Sequence, residues 1–355
     1  MSLRLQPHTL TNMNIRTPFI VASLSLTAML SAHDGTEQEH FAAGVVTEQS
    51  VAFTADGDFK FSTDPGWGAL PNGENPGPLH GGVARDKAGN VYVSTDTDKG
   101  ILVFNPDGTF QKNIAKEFKA IHGLMMREEK GEEILYAAWL GGGQALKLKL
   151  DGTPLLRIPC PMESGKYKDA KEWKPTTVDS APDGSIFVGD GYGKSFVHKF
   201  DATGKYLLSF GGSGSDNDHF NTPHGLGVDL RGEKPLLLIC DRGNNRIQHF
   251  DLDGKFVANV VNGLRAPCAV SFDGKMVVVP ELRGRVTILD GSNKEVAHLG
   301  TNDNPKQSGN FNVPPADWSP LTFTAPHGAC FDGKGGVYVQ DWNATGRIRH
   351  LKPVK

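Results

Sequence analysis

One tripeptide recurs along the chain, and its spacing restricts the fold more than any other feature. It reads Leu79-His80-Gly81, Ile121-His122-Gly123, Pro175-Thr176-Thr177, Pro223-His224-Gly225, Pro267-Cys268-Ala269 and Pro326-His327-Gly328, at successive spacings of 42, 54, 48, 44 and 59 residues. A period of about 40–50 residues is the mark of propellers and solenoids. After each tripeptide the chain runs apolar, turns at an Asp/Gly cluster and enters a β-branched and aromatic strand, as in Val91-Tyr92-Val93 and Val337-Tyr338-Val339. A third alternating strand follows at residues 101–104, 145–148, 196–200, 247–250, 286–289 and 348–351. Asp107-Gly108, Asp151-Gly152, Thr203-Gly204, Asp253-Gly254 and Ser292-Asn293 then turn the chain into a fourth.

The sixth unit ends without a fourth strand, and a spare one precedes the first unit at Asp56-Gly57-Asp58-Phe59-Lys60-Phe61. Pairing it with the sixth unit's third strand closes a ring and removes the free edges that an open solenoid would have to cap. The expected fold is therefore all-β, a six-bladed β-propeller over residues 51–355 closed by an N-terminal strand completing the last blade. The 43 Gly and 22 Pro among 355 residues suit a chain of many tight turns.

The segment before the propeller reads as an address. Arg16 precedes an apolar run from Phe19 to Leu30 that ends in Leu30-Ser31-Ala32, so residues 1–32 are expected to be a signal peptide and 33–50 a flexible segment. Export to a periplasm or secretion follows. The run is too short for a permanent membrane anchor. With 37 basic and 40 acidic residues and no basic block, nucleic acid is not an expected partner. A monomer acting on a small-molecule or peptide-derived substrate is expected. Cys160, Cys240, Cys268 and Cys330 form no Cys-x-x-Cys pair; they read as buried small side chains, with disulfide pairing in an exported protein left open.

In a propeller the first strand of each blade lines the axis, so the middle residues of the tripeptides form a ring: His80, His122, Thr176, His224, Cys268 and His327. Four of the chain's twelve histidines share this position. Three neutral imidazoles can make an open metal site, and four suit several transition metals; alternatively, each His before Gly bonds neighbouring backbone and stabilises the repeat. His198, His249 and His350 fall in third strands and read as surface or packing residues; His33 and His40 lie in the N-terminal segment. A second ring, Thr95, Ala138, Asp190, Asp241, Glu281 and Asp341, ends the second strands, where carboxylates turn the chain by accepting backbone hydrogen bonds. Beside it, Tyr192 can accept a proton if a nearby cation lowers its pKa, and Arg242 can fork onto a carboxylate, although both residue types also serve structurally.

This pattern resembles the NHL-type six-bladed propellers and, within them, the peptidyl-α-hydroxyglycine α-amidating lyases, over most of residues 78–351. The residues that carry the resemblance are Asp190-Gly191-Tyr192, the loop from Gly211 to Phe220, Thr222-Pro223-His224-Gly225 and the run from Asp241 to Gln248. The resemblance implies zinc on His122, His224 and His327, a catalytic Tyr192 and a substrate-binding Arg242. The family's other arginine falls on Asp96. Gly328 stands where the family has an Asp that helps hold calcium, Ala325 where it has a Met, and His80 is an additional histidine.

Three functions follow as expectations: a metal-dependent lyase acting on a hemiaminal or related small α-hydroxy compound; a four-histidine iron or copper redox site that includes His80; or a non-catalytic propeller binding a protein, peptide or glycan. For the last, Trp67, Trp139, Trp173, Trp318 and Trp342 would supply an exposed aromatic face.

Overall fold

A computed structural model describes residues 52–54, 60–64 and 66–354, all within one compact unit spanning Thr47–Lys355. The expected signal peptide, the segment 33–50 with His33 and His40, and residues 56–59 of the closing strand lie outside the described residues. Regular structure is strand, broken only by short 3₁₀ turns. No described helix is long and apolar enough to cross a membrane.

Five four-stranded antiparallel sheets and one of five strands make the six blades. Their first strands are Val83–Arg85, Ile121–Glu129, Thr177–Ser180, Pro223–Asp229, Ser271–Asp273 and Pro326–Phe331. Between third and fourth strands the turn has a fixed chemistry. In blade four, Asp251 Oδ1 accepts from the amides of Asp253 and Lys255, at 2.9 Å each, and Gly254 takes φ +78°. A Cβ on Gly254 would stand 2.5 Å from the Phe210 ring of the preceding blade, so backbone conformation and close approach both demand glycine. Blade five meets the same left-handed requirement with Asn293 (φ +64°), the residue type that tolerates it best after glycine.

The core lies between blades rather than within one. Phe187, Val197, Phe220, Leu226, Leu237 and Phe250 bind blade three to blade four, and equivalent clusters repeat around the ring. Ring closure uses the same device. Lys60–Thr63 pairs with Arg347–Pro353 through Phe61↔Pro353, Ser62↔Lys352 and Thr63↔Leu351. Phe61, 2% exposed, packs with Val337, Val339 and Leu351 of blade six and with Val278 and Leu299 of blade five. On the other side of blade six, Trp67 and Leu70 pack with Val91, Phe104 and Tyr338 at the junction with blade one. A further strand, Ala52–Thr54, pairs outside Lys60–Thr63 and makes this sheet five-stranded.

One expectation needs correcting, and two readings left open are decided. Trp67 and Trp173 are buried and belong to inter-blade clusters, so they offer no binding face. His198, His249 and His350 are packing residues with defined partners and not surface ones. His249 Nε2 lies 3.1 Å from Asp229 and His350 Nε2 3.0 Å from Asp332, while His198 lies between the Tyr167 and Ser209 hydroxyls. The four cysteines are all buried and free.

Since Phe61 fills a site shared by two blades, Phe61→Ala should cost about 3–5 kcal/mol, the usual loss for an emptied aromatic core site. Chemical denaturation should record it. A protein lacking residues 1–45 should match the full chain in that assay, whereas one lacking 1–66 should aggregate; a soluble 67–355 protein of equal stability would refute the closure.

Candidate functional site

The axial ring is built by an alternation of blades. His122, His224 and His327, on blades two, four and six, are 1–2% exposed. The Nδ1 of each meets a carbonyl on the first segment of the next blade: His122 to Thr176 at 2.7 Å, His224 to Cys268 at 2.8 Å, His327 to Gly81 at 3.1 Å. An imidazole that donates from Nδ1 is neutral at Nε2 and presents a lone pair there. Burial holds all three well below the ordinary histidine pKa, so they stay neutral near pH 7.

Those lone pairs converge. One nitrogen from each of His80, His122, His224 and His327 lies within 4.8 Å of the others. The Tyr192 hydroxyl sits among them, 2.9 Å from His224 Nε2, 3.4 Å from His122 Nε2 and 3.0 Å from His80 Nε2, and accepts a hydrogen bond from Arg242 Nη1 at 3.1 Å. The Nε2 of His327 is buried with no hydrogen-bond partner. One phenolic proton therefore serves two alternate-blade imidazoles while the third has none, which is an unbalanced arrangement unless a Lewis acid takes the surplus lone pairs. Three neutral imidazoles in this geometry fit a transition metal of the zinc, iron or copper kind. At Gly328, the position compared above with a calcium-binding Asp, an added Cβ would lie 2.6 Å from the Gly81 carbonyl, so blades six and one leave no room there for a carboxylate.

His80 is held differently. Its Nδ1 is 4.0 Å from Asp96, its ring stacks on Trp342 at 4.1 Å, and Trp342 stacks in turn on Phe311 at 4.4 Å. Among the described residues no backbone carbonyl fixes its tautomer. Burial, with Arg242 adding to it, lowers its pKa to about 4.

A hydrogen bond repeated in all six blades defines the mouth above this cluster. The amides of Asp96, Gly141, Tyr192, Arg242, Leu282 and Trp342 donate to the carbonyls of Pro78, Ala120, Lys174, Thr222, Ala266 and Ala325, each two residues before a ring position. Tyr192 and Arg242 are thus equivalents on adjacent blades, and Asp96 and Trp342 belong to the same set. Sequence reasoning identified the first two and did not place Trp342 with them. Ala120, Thr222 and Ala266 accept this bond at φ +59°, +66° and +60°. For a β-branched Thr222 this is a strained conformation, of the kind that clusters at functional sites.

Burial is the largest influence on Tyr192 and outweighs the opposing Arg242, so its pKa is pushed up to about 12. The expected lowering by a cation is therefore not achieved by Arg242 alone. The neighbouring carboxylates are structural. Asp241, Glu281 and Asp341 are fully buried, and each pairs with an arginine of its own blade, Arg246, Arg285 and Arg347, while also accepting backbone amides. Asp190 takes the Tyr167 hydroxyl and the Lys174 and Lys194 amides, each at 2.7 Å.

No protein-family model matches the chain. Among curated proteins it is similar to human NHL repeat-containing protein 3, 27% identical over 208 residues, covering 55% of this chain and 59% of that one. It is also similar to peptidyl-alpha-hydroxyglycine alpha-amidating lyase 1 of Drosophila melanogaster, 30% identical over 155 residues, with 41% and 27% covered. A third relative is mouse peptidyl-glycine alpha-amidating monooxygenase, 35% identical over 107 residues, with 29% and 11% covered. The matched stretches thus span less than two thirds of each relative. Among solved structures, a streptogramin B lyase superposes with TM-score 0.55 at 14% identity, over 87% of this chain and all of that one. A gluconolactonase of Xanthomonas campestris superposes with TM-score 0.55 at 15% identity, over 87% and 99%. At such identities these two show the fold alone.

With its imidazoles already neutral, the cluster should bind a divalent metal with little proton release. Affinity for zinc should stay nearly flat from pH 7 to pH 6, where an ordinary histidine site with pKa near 6.5 already weakens. Calorimetry in two buffers of different ionisation enthalpy measures this. Replacing His122, His224 or His327 by Ala should abolish stoichiometric binding, and His80→Ala should retain it.

Proposed function

We propose that this chain is a metal-dependent lyase of the amidating-lyase type, acting on a hemiaminal or related small α-hydroxy compound that carries a carboxylate. The observation that supports it most is the meeting of three Nε2 lone pairs, the Tyr192 hydroxyl and the Arg242 guanidinium at one point of the axis. Similarity to amidating lyases and monooxygenases agrees with it.

In this proposal His122, His224 and His327 hold the metal, with zinc first and iron or copper the alternatives. Bound there, it would supply Lewis-acid polarisation of a substrate oxygen. Arg242, anchored at the mouth by its own amide, forks onto the substrate carboxylate and sets the hydroxyl-bearing carbon over the cluster. Tyr192 takes the hydroxyl proton as a phenolate, the form that a cation bound at the cluster would favour beside Arg242. The C–N bond then breaks, the nitrogen keeps the bonding pair and receives that proton, and the C–O bond becomes a carbonyl. One proton moves from oxygen to nitrogen, and no oxidant or reductant is needed.

Tyr192 is the residue whose protonation the chemistry needs, and removing only its oxygen separates chemistry from binding. Tyr192→Phe should lower kcat by roughly a hundredfold or more, the usual scale for a lost general acid–base group, with metal content unchanged. The assay follows glyoxylate, or the matching carbonyl product, from α-hydroxyglycine amides and related hemiaminals. No turnover by the zinc-, iron- or copper-loaded protein would favour the binding-module alternative. Export is also part of the proposal and has only the apolar run from Phe19 to Leu30 in its support.

A further inference from the structure

The mouth carries one carboxyl group that has no hydrogen bond among the described residues. Asp241, Glu281 and Asp341 each have an arginine of their own blade at 2.7–2.9 Å, and Asp190 takes a hydroxyl and two amides. In blade one the corresponding place is filled by Thr95, which bonds the Gly100 carbonyl, and the acidic residue is displaced one position onward, to Asp96. There it sits in the mouth set with its side chain 29% exposed, and its only ion-pair contact among the described residues is His80 Nδ1 at 4.0 Å. Lys99, three residues on, is turned to Glu74 instead. Among the described residues the Asp96 carboxyl has no hydrogen bond, and burial pushes its pKa up to about 7, so its charged form is left uncompensated, an unfavourable feature for folding alone.

Its position gives that feature a use. Asp96 and Arg242 occupy equivalent mouth positions, fixed by the same amide-to-carbonyl bond, on blades one and four. In a ring of six these blades face each other across the axis, so above about pH 7, where Asp96 is ionised, the mouth has an anionic side and a cationic side with the histidine cluster between them. Beside Asp96, the stacked rings of His80, Trp342 and Phe311 form a flat wall leading from the cluster to the rim, where Phe311 is 38% exposed. A ligand filling this mouth meets a carboxylate-binding group, a floor of imidazoles, an aromatic wall and an unpaired carboxylate.

We propose that Asp96 recognises a cationic group, an amine or guanidine, on a substrate whose carboxylate is held by Arg242, so that the substrate class is small and dipolar. This rests on the Arg242 carboxylate grip proposed above and not on the lyase chemistry. Complementary charge on opposite sides of the mouth selects such a molecule and rejects a dianion, which would bring like charge against Asp96.

The test is a binding measurement on the full chain, without turnover, at pH 8.5, where Asp96 is ionised. Straight-chain carboxylic acids of increasing length, ending in a methyl, an ammonium or a second carboxylate, are titrated into zinc-loaded protein by calorimetry. At the length that spans the mouth, the ammonium-ended acid should bind about tenfold or more tighter than the methyl-ended one, the order expected for a charge-assisted contact, and the dicarboxylate weakest. Asp96→Asn should reduce the ammonium-ended acid to the methyl-ended level, and Asp96→Arg should make the dicarboxylate the tightest of the three. Equal binding of methyl and ammonium ends by the wild-type protein overturns the proposal, as does an ammonium preference that survives in Asp96→Asn or binding of no acid in the series. A protein that prefers the ammonium end but splits no hemiaminal would refute the lyase and leave this subsite standing.

Discussion

The arrangement depends on one interaction made three times: the hydrogen bond from a histidine Nδ1 to a carbonyl of the neighbouring blade. It sets the tautomer, aims Nε2 at the axis and ties blade two to three, four to five and six to one. The last of these crosses the closure itself, since His327 and Gly81 lie near opposite ends of the described chain. Site and ring are therefore coupled. A propeller that fails to close loses the geometry of His327 first, and with it the third donor of the cluster.

Around that constraint the blades divide their tasks. Even-numbered blades give the three backbone-held imidazoles and odd-numbered blades give the carbonyls that hold them, with His80 of blade one added beside them, so Thr176 and Cys268 are partners in the histidine ring rather than gaps in it. Cys268 is buried, its thiol is pushed up to about 11 by burial against the opposing effect of Arg242, and it donates to the Ala266 carbonyl. The carboxylates one layer above are all hydrogen-bonded, three of them to an arginine of their own blade. This confines the unbalanced electrostatics to the axis and the mouth, where Tyr192, Arg242 and Asp96 stand.

Much of this was legible in the sequence because propeller repeats translate spacing directly into position. The period put His80, His122, His224 and His327 on one ring, and the missing fourth strand of the last unit located its replacement near Phe61. The carboxylates at the strand ends were read as structural, and the arginines that pair with them lie four to six residues on, at Arg246, Arg285 and Arg347. What stayed hidden travels through backbone or through long loops. Carbonyls that fix tautomers leave no mark in residue identity, and neither does the amide bond that makes Asp96, Tyr192, Arg242 and Trp342 equivalents. Phe311 reaches Trp342 only because the long segment between blades five and six folds back over the mouth. The tryptophans showed the opposite failure: composition offered a binding face, whereas packing took Trp67 and Trp173 into the core, because large aromatic rings are what the wedge between blades can bury.

The central claim is that three imidazoles from alternate blades present their Nε2 atoms to one metal ion. Crystals grown with zinc, measured on both sides of the zinc absorption edge, test it most directly. The account predicts a single strong anomalous peak on the axis, about 2.0–2.1 Å from Nε2 of His122, His224 and His327. An axis without a peak under saturating zinc, or an ion bound there through any other set of atoms that leaves His327 Nε2 unligated, would contradict it.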